Sequence, residues 1–170
     1  MADAPTYRMH AHFSFCGHPF VPDQPWPRRC ANCNNTSFVN PLPVTIVLVP
    51  VDDGLLVVRR NIEPHKGKLA LPGGYIEWSE SWQAAGAREV FEETGITIDP
   101  NAIQLLTVFS APDGTIIIVG QAALMHSIDL PAFEANDEAT ERAFITSPQE
   151  LAWPLHTEVV TAYFAGKTPR

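Results

Sequence analysis

GYIEWSESWQAAGAREVFEETGI, residues Gly74 to Ile96, gathers five glutamates around one arginine between two glycines. Ordinary core structure does not carry that charge density, because a charge taken out of water needs a partner. A strand-like approach leads into a turn and then a helix. Ser79 or Ser81 offers a capping hydroxyl, the helical run continues through Trp82, Ala84, Ala85, Ala87, Val90 and Phe91, and Gly95 is a C-terminal stop. At about 100° per residue, Ala84, Ala87 and Phe91 share a face expected to pack on the core. Glu89, Glu92 and Glu93, spaced i, i+3, i+4, then fall together on the opposite face. Carboxylates so placed repel one another. A hard divalent cation relieves the repulsion, because Mg²⁺ or Mn²⁺ takes oxygen ligands and leaves positions for substrate phosphates and water. The spacing therefore predicts a metal site; a solvated acidic helix is the alternative.

The same residues resemble the Nudix box, G-x5-E-x7-R-E-U-x-E-E-x-G-U with U aliphatic. Gly74, Glu80, Arg88, Glu89, Val90, Glu92, Glu93, Gly95 and Ile96 stand at every fixed position. The resemblance covers roughly residues 41–165, closely over the box and loosely elsewhere. It implies an α/β fold, a Nudix-type α/β/α sandwich with a mixed sheet, and hydrolysis of nucleoside diphosphates linked to another moiety. By position it implies that Glu89, Glu92 and Glu93 hold Mg²⁺ or Mn²⁺, with a backbone carbonyl at Gly73 or Gly74 as a further ligand. Glu92 and Glu93 are then catalytic, and Arg88 pairs with a box glutamate, most simply Glu80. Some members of the family use a later glutamate as ligand or general base; Glu138 resembles it, with Glu141 next.

The 170 residues suffice for one good core and a small appendage, and an apolar share of 45% suits a globular protein. A formal charge of −8 argues against a broad nucleic-acid surface or an anionic-membrane surface, both of which want positive potential. A nucleotide's phosphates must be met by metal and a few placed cations. There is no apolar run of transmembrane length and no apolar signal core in MADAPTYRMHAHF, so the expected location is cytoplasmic. Homodimers are common in the family, but no interface is legible from one chain.

Residues 1–40 read as a separate unit ahead of a domain over 41–170, with Pro19, Pro22, Pro25 and Pro27 and little apolar periodicity. Three cysteines without a secretory signal suggest reduced thiols or a metal. Cys30-x2-Cys33 is half of a zinc ribbon, and tetrahedral zinc takes four ligands. With Cys16 that leaves one to be supplied by His10, His12 or His18, of which His12 is chosen because His12-x3-Cys16-Gly17 sits near a first knuckle. The unit resembles the N-terminal zinc ribbon of the branch that includes NADH pyrophosphatases, whose first knuckle is C-x2-C-G. Here Phe13 stands where that first cysteine is expected.

Between the linker Asn34–Pro43 and the box, Val44–Val51 and Leu55–Arg60 read as a hairpin turning at Asp52-Asp53-Gly54. Arg59 and Arg60 alternate faces, and Arg60 and Lys68 are candidates for meeting phosphates. Leu69 replaces a tryptophan that relatives often carry before Pro-Gly-Gly. After the box, Ile103–Ala111 and Thr115–Met125 read as strands, the second too apolar to be anything but central. Arg142–Thr146 is a short strand, Ser147-Pro148 opens a helical turn through Leu151, and a C-terminal helix presents Leu155, Val159, Val160 and Tyr163 on one side.

For the substrate, the downstream motif of NADH pyrophosphatases, S-Q-P-W-P-F-P-x-S, has only Ser110-Ala111-Pro112 as a remnant. Pro112 meets the single downstream proline of ADP-ribose pyrophosphatases. The resemblance therefore places ADP-ribose or FAD ahead of NADH. A house-cleaning nucleoside triphosphate pyrophosphatase and a non-catalytic nucleotide-binding module are the alternatives.

Overall fold

The computed structural model describes residues 10–169; residues 1–9, read above as lacking a signal core, and Arg170 lie outside them. The chain divides into two compact units, Met1–Pro41 and Leu42–Arg170. In the first, β1 (Arg28–Arg29) and β2 (Thr36–Ser37) pair antiparallel. The second runs β3 (Pro43–Leu48), β4 (Pro50–Val51), β5 (Gly54–Arg60), β6 (Leu69–Ala70), β7 (Gly73–Tyr75), α1 (Trp82–Thr94), β8 (Gln104–Ser110), β9 (Ile116–Gln121), β10 (Ala139–Ile145) and α2 (Pro154–Phe164). One sheet has the order β7-β3-β9-β8, with β3 and β9 parallel and the other pairs antiparallel. The other has the order β10-β5-β4, with β6 also on β5.

Alternation along β3 and β5 decides the layers, since successive side chains in a strand point to opposite faces. Ile46, Leu48, Leu55 and Val57 join a cluster with Val159 and Val160 of α2. Val47, Val49 and Leu56 join another with Val90 of α1, Ile96 and Ile103. Each helix thus covers one face of the β layer, and the expected α/β/α sandwich with a mixed sheet is what forms. The run Ile116–Gln121 lies between β3 and β8, as its continuous apolarity implies. No helix among the described residues is long and apolar enough to cross a membrane.

Three local expectations are corrected. The hairpin expected between Val44–Val51 and Leu55–Arg60 involves only β4, because the chain changes sheets at Val49. Leu48 accepts from the Ala122 amide at 2.8 Å in one sheet, Val49 accepts from Leu56 at 3.0 Å in the other, and Pro50 has no N–H to continue a ladder. Ser147–Leu151 forms no helical turn: the Leu151 amide donates to Thr157 Oγ1 at 2.9 Å and the Ala152 amide to the Leu69 carbonyl at 2.7 Å, so neither serves a helix. On α1 the inward residues are Ala85, Gly86, Glu89, Val90, Glu93 and Thr94, and Phe91 is exposed. Gly86 lets the helix lie close to β3, since a Cβ there would fall 2.7 Å from Val47 Cγ2.

His156 of α2 is buried, and its Nδ1 accepts the Leu71 amide at 3.1 Å, which pins the segment leading into β7. Burial, with help from the charge of Arg60, pushes its pKa down to about 3. The unfolded chain's histidine titrates near ~6.5. Below that pH the unfolded state takes up a proton that the folded state refuses, so the stability held above pH ~6.5 is lost progressively as pH falls toward 3. Urea unfolding is expected to lose about 2 kcal/mol between pH 6.5 and 5 on this account. In His156→Gln, whose amide oxygen still accepts a hydrogen bond, that part of the slope should vanish; an equal slope in both chains would assign the loss to other groups.

Candidate active site

The site begins with the ends of α1. Ser81 caps it, its Oγ accepting the Ala84 amide at 3.1 Å, and Gly95 ends it with φ 73° and an N–H donated to the Phe91 carbonyl. A side-chain cap of this kind contributes about 1 kcal/mol and fixes where the helix starts. Opposite α1, β7 pairs with β3 in the register Ile46↔Gly73, Thr45↔Gly74. Both glycines answer to close approach. A Cβ on Gly73 would stand 2.2 Å from the Thr45 carbonyl oxygen, and one on Gly74 would stand 2.5 Å from Glu89 Oε1. With no side chains there, the carboxylates of α1 reach the β7 backbone, and the Gly73 amide donates to Glu93 Oε2 at 3.1 Å.

Arg88 is the hub of the acid-rich segment. Its Nε and Nη2 meet the two oxygens of Glu80 at 3.0 and 3.1 Å, a bidentate pair that fixes both groups. Nη1 donates to Glu89 Oε1 at 2.7 Å and Glu92 Oε2 at 2.9 Å, and Nη2 also donates to the Tyr75 carbonyl at 3.0 Å. The guanidinium holds Glu80 below the usual carboxylate range, and Glu80 in turn accepts the Glu77 amide at 3.1 Å. The loop ahead of the helix is thereby tied to its first two turns.

Glu89, Glu93 and Glu138 bring carboxylate oxygens within 4.8 Å of one another. Glu89 and Glu93 are buried and Glu138 is exposed. Burial pushes Glu93 up to about 8, opposed by the Gly73 amide and reinforced by Glu89 and Glu138. Burial also raises Glu89, against the pull of Arg88. Two carboxylates out of water beside a third are costly unless a cation joins them. All the donors are hard oxygens, so the set fits Mg²⁺ or Mn²⁺. Glu92 sits apart from this trio: its side chain is half exposed and pairs with Arg88.

Glu138 reaches the trio through two asparagines that sequence reasoning did not single out. Asn136 Oδ1 accepts the Glu138 and Ala139 amides at 2.9 and 2.8 Å, while its Nδ2 donates to the Glu92 carbonyl at 2.8 Å. Asn61 donates its amide to the Glu138 carbonyl at 2.7 Å and its Nδ2 to the Asn136 carbonyl at 2.9 Å. The loop carrying Glu138 is thus fastened to the end of α1 and the end of β5. The only local signal is Asn-Asp-Glu, an Asx-turn pattern.

The two candidate cations for phosphate differ. Arg60 is buried, its guanidinium 4.4 Å above the Trp153 ring and its Nε on the Pro64 carbonyl at 2.9 Å, close enough to Glu93 to draw that group's pKa down. Lys68 is exposed, 3.5 Å from Glu150. Arg59, on the opposite face of β5, meets Glu141 at 2.6 Å. In the first unit Cys16, Cys30 and Cys33 bring their sulfurs within 4.8 Å of one another, a donor set that fits zinc. None of His10, His12 and His18 offers a ring nitrogen within that distance of all three.

Residues 40–163 match the NUDIX domain, and the chain belongs to that family. The NAD-capped RNA hydrolase NudC of Edwardsiella ictaluri (strain 93-146) is 32% identical over 96 residues, which are 56% of this chain and 37% of that protein. The NudC of Salmonella typhi matches to the same extent. The chain thus spans little more than a third of these relatives. Among solved structures, a NUDIX hydrolase from Nitrosomonas europaea superposes with a TM-score of 0.76 over 91% of this chain and 90% of that one; at 22% identity the likeness is one of fold. A bifunctional NMN adenylyltransferase/ADP ribose pyrophosphatase from Francisella tularensis, solved with AMP and a manganese ion, is 34% identical over 64% of this chain and 35% of that one, with a TM-score of 0.55.

Asn136→Ala keeps all three carboxylates but frees the loop that bears Glu138. Mn²⁺ affinity, measured by calorimetric titration of the full chain, is expected to fall about 10- to 100-fold, the usual cost of losing a group that orients a ligand. Asn136→Asp retains the oxygen acceptor for the Glu138 and Ala139 amides but turns the donation to the Glu92 carbonyl into a repulsive contact between two acceptors, so it should not restore the parent affinity. Unchanged Mn²⁺ affinity in Asn136→Ala would detach Glu138 from the metal site.

Proposed function

We propose that the chain is a Mg²⁺- or Mn²⁺-dependent pyrophosphohydrolase that cleaves the diphosphate of a nucleoside diphosphate linked to another moiety, with ADP-ribose or FAD as the first choice and NADH next. The observation that carries this reading is the convergence of Glu89, Glu93 and Glu138, two of them buried, beside a glycine pair that leaves the approach from β7 clear. Those three residues, with the Gly74 carbonyl, would hold the cation. Glu92, with one oxygen committed to Arg88, is kept as a ligand at the rim. A divalent ion bound here supplies charge neutralisation of the diphosphate and lowers the pKa of the attacking water.

The chain's own groups divide the remaining work. Arg88 and Glu80 hold the loop on α1, so the carboxylates are presented from a fixed backbone rather than a mobile one. Glu138, the exposed member of the trio, is placed to take the proton of the water that adds to phosphorus. The bond from that phosphorus to the bridging oxygen breaks, and the two products each leave with a phosphate. Arg60, buried and free of a carboxylate partner among the described residues, is the proposed phosphate contact; Lys68 is the outer one. The relatives named above support the reading: one is an ADP ribose pyrophosphatase in part, and the NudC proteins are NAD-capped RNA hydrolases. An RNA carrying a 5′ NAD cap presents the same diphosphate and belongs among the substrates to test, although a net charge of −8 argues against extended contact with the RNA body.

The test is release of the nucleoside monophosphate in the presence of Mg²⁺ from ADP-ribose, FAD, NADH, NAD, diadenosine polyphosphates, oxidised dGTP and NAD-capped RNA, run as one panel. Turnover of ADP-ribose or FAD above the rest is expected. Activity confined to the triphosphate would favour the house-cleaning reading, and inertness on all with retained nucleotide binding would favour a binding module. In Glu93→Gln turnover should drop to background while the circular dichroism spectrum stays that of the parent chain; near-normal turnover in that variant would falsify the metal assignment.

A further inference from the structure

The first unit contains two turns built to one plan. In one, the Asn34 amide donates to the Cys30 carbonyl at 2.9 Å, the Cys30 amide donates to the Asn35 carbonyl at 2.8 Å, and Asn34 adopts φ 64°. In the other, the Gly17 amide donates to the Phe13 carbonyl at 2.8 Å, the Phe13 amide donates to the His18 carbonyl at 2.8 Å, and Gly17 adopts φ 68°. The bonds correspond one to one. Cys33 matches Cys16, and Cys30 matches Phe13. The second turn has therefore kept the backbone of a metal knuckle while replacing one of its two thiols by a phenyl ring.

That ring is not idle. Phe13 is 3% exposed and packs edge-on against Phe20 at a centroid distance of 4.1 Å, so apolar burial sustains the turn that a metal–sulfur bond would otherwise hold. Its inward direction also disposes of His12. Successive side chains of an extended segment point to opposite sides, and His12 lies in a bridge to Pro19 with its side chain exposed. The three sulfurs nevertheless converge: Cys16 Sγ and Cys30 Sγ are 3.6 Å apart, and Cys33 lies within 4.8 Å of both. Cys30 is buried, Cys33 half-buried and Cys16 exposed, so one side of the cluster faces water. Among the described residues no fourth histidine, cysteine or carboxylate joins them.

We infer that this unit binds one zinc ion through Cys16, Cys30 and Cys33, takes no fourth ligand from the described residues and holds the fourth coordination position open, to water in the resting state and to a thiolate where one is available. Zinc keeps a tetrahedral shell whether or not the protein completes it, and a three-ligand site with an open position exchanges its fourth ligand readily. The inference concerns a different unit from the acidic trio and stands or falls separately from the reaction proposed above.

The experiment uses the full chain with Co²⁺ in place of zinc, followed by absorption. The sulfur-to-cobalt charge-transfer intensity should correspond to three thiolates and should be the same in His12→Ala. Added 2-mercaptoethanol should raise the intensity to that of four thiolates and shift the d–d bands. Phe13→Cys should show the four-thiolate spectrum without added thiol and should not respond to it. A changed spectrum in His12→Ala would overturn the inference by making His12 a ligand. So would a parent spectrum that is indifferent to thiol, or the absence of any sulfur-to-cobalt charge-transfer band when the freshly reduced chain is titrated with Co²⁺. Should Phe13→Cys not fold, the His12→Ala and thiol-titration arms decide the matter without it.

Discussion

Two glutamates on the inward flank of α1 constrain what lies around them. Burying Glu89 and Glu93 costs solvation that no apolar contact returns, and the surroundings are arranged to limit that cost. Arg88 meets Glu89 from one side and the Gly73 amide meets Glu93 from the other. A side chain at Gly74 would collide with the Glu89 carboxylate and one at Gly73 with the Thr45 carbonyl. The register of β7 on β3, the close approach of α1 through Gly86 and the bidentate clasp of Glu80 on Arg88 are thus parts of one solution to one electrostatic problem.

The sheet arrangement follows from the same region. Because the chain leaves one sheet at Leu48 and enters the other at Pro50, β3 and β5 stay in separate sheets while remaining close along the chain. β3 then supports β7 and the glycine pair, and β5 supports β10 and the loop that brings Glu138. A single continuous hairpin would have placed both on one sheet. The short step through Val49 lets carboxylates from α1 and from the loop before β10 reach one point.

What was legible in the sequence was the part whose geometry is local. Helix caps at Ser81 and Gly95, the i, i+3, i+4 acids and the glycines ahead of them act over a few residues, and spacing alone conveys them. The inward face of α1 was misread because periodicity counts apolar residues, whereas here two acids take inward positions and Phe91 is turned out. Glu92 shows the same limit of spacing from the other side, and Glu138 was named through the family resemblance and not through spacing. Spacing groups Glu92 with its neighbours on the helix, but Arg88 draws it to the rim, and the third oxygen donor comes from a loop 45 residues beyond Glu93. The long-range bonds of Asn61 and Asn136 escape notice, since they join segments 75 and 44 residues apart and no composition or period records that. Phe13 was visible as a departure from a knuckle, but only the paired backbone bonds show that the knuckle itself persists.

On the proposed reaction, an anionic diphosphate has to approach a chain of net charge −8 that gathers three carboxylates at one point. Long-range potential is the wrong sign for attraction, and at physiological salt it is screened beyond about 8 Å in any case. Approach must then depend on short-range groups. Arg88 cannot serve, because its donors are already spent on three acids and a carbonyl. Arg60 is differently placed: it is fixed by the Trp153 ring and the Pro64 carbonyl, and among the described residues no carboxylate lies within 4.0 Å of it. A buried guanidinium without a close counter-ion is held at a cost, and that cost is recovered when an anion arrives. On the proposed function the acids would gather cations and Arg60 would meet phosphate, so each charge would be balanced only with both partners present.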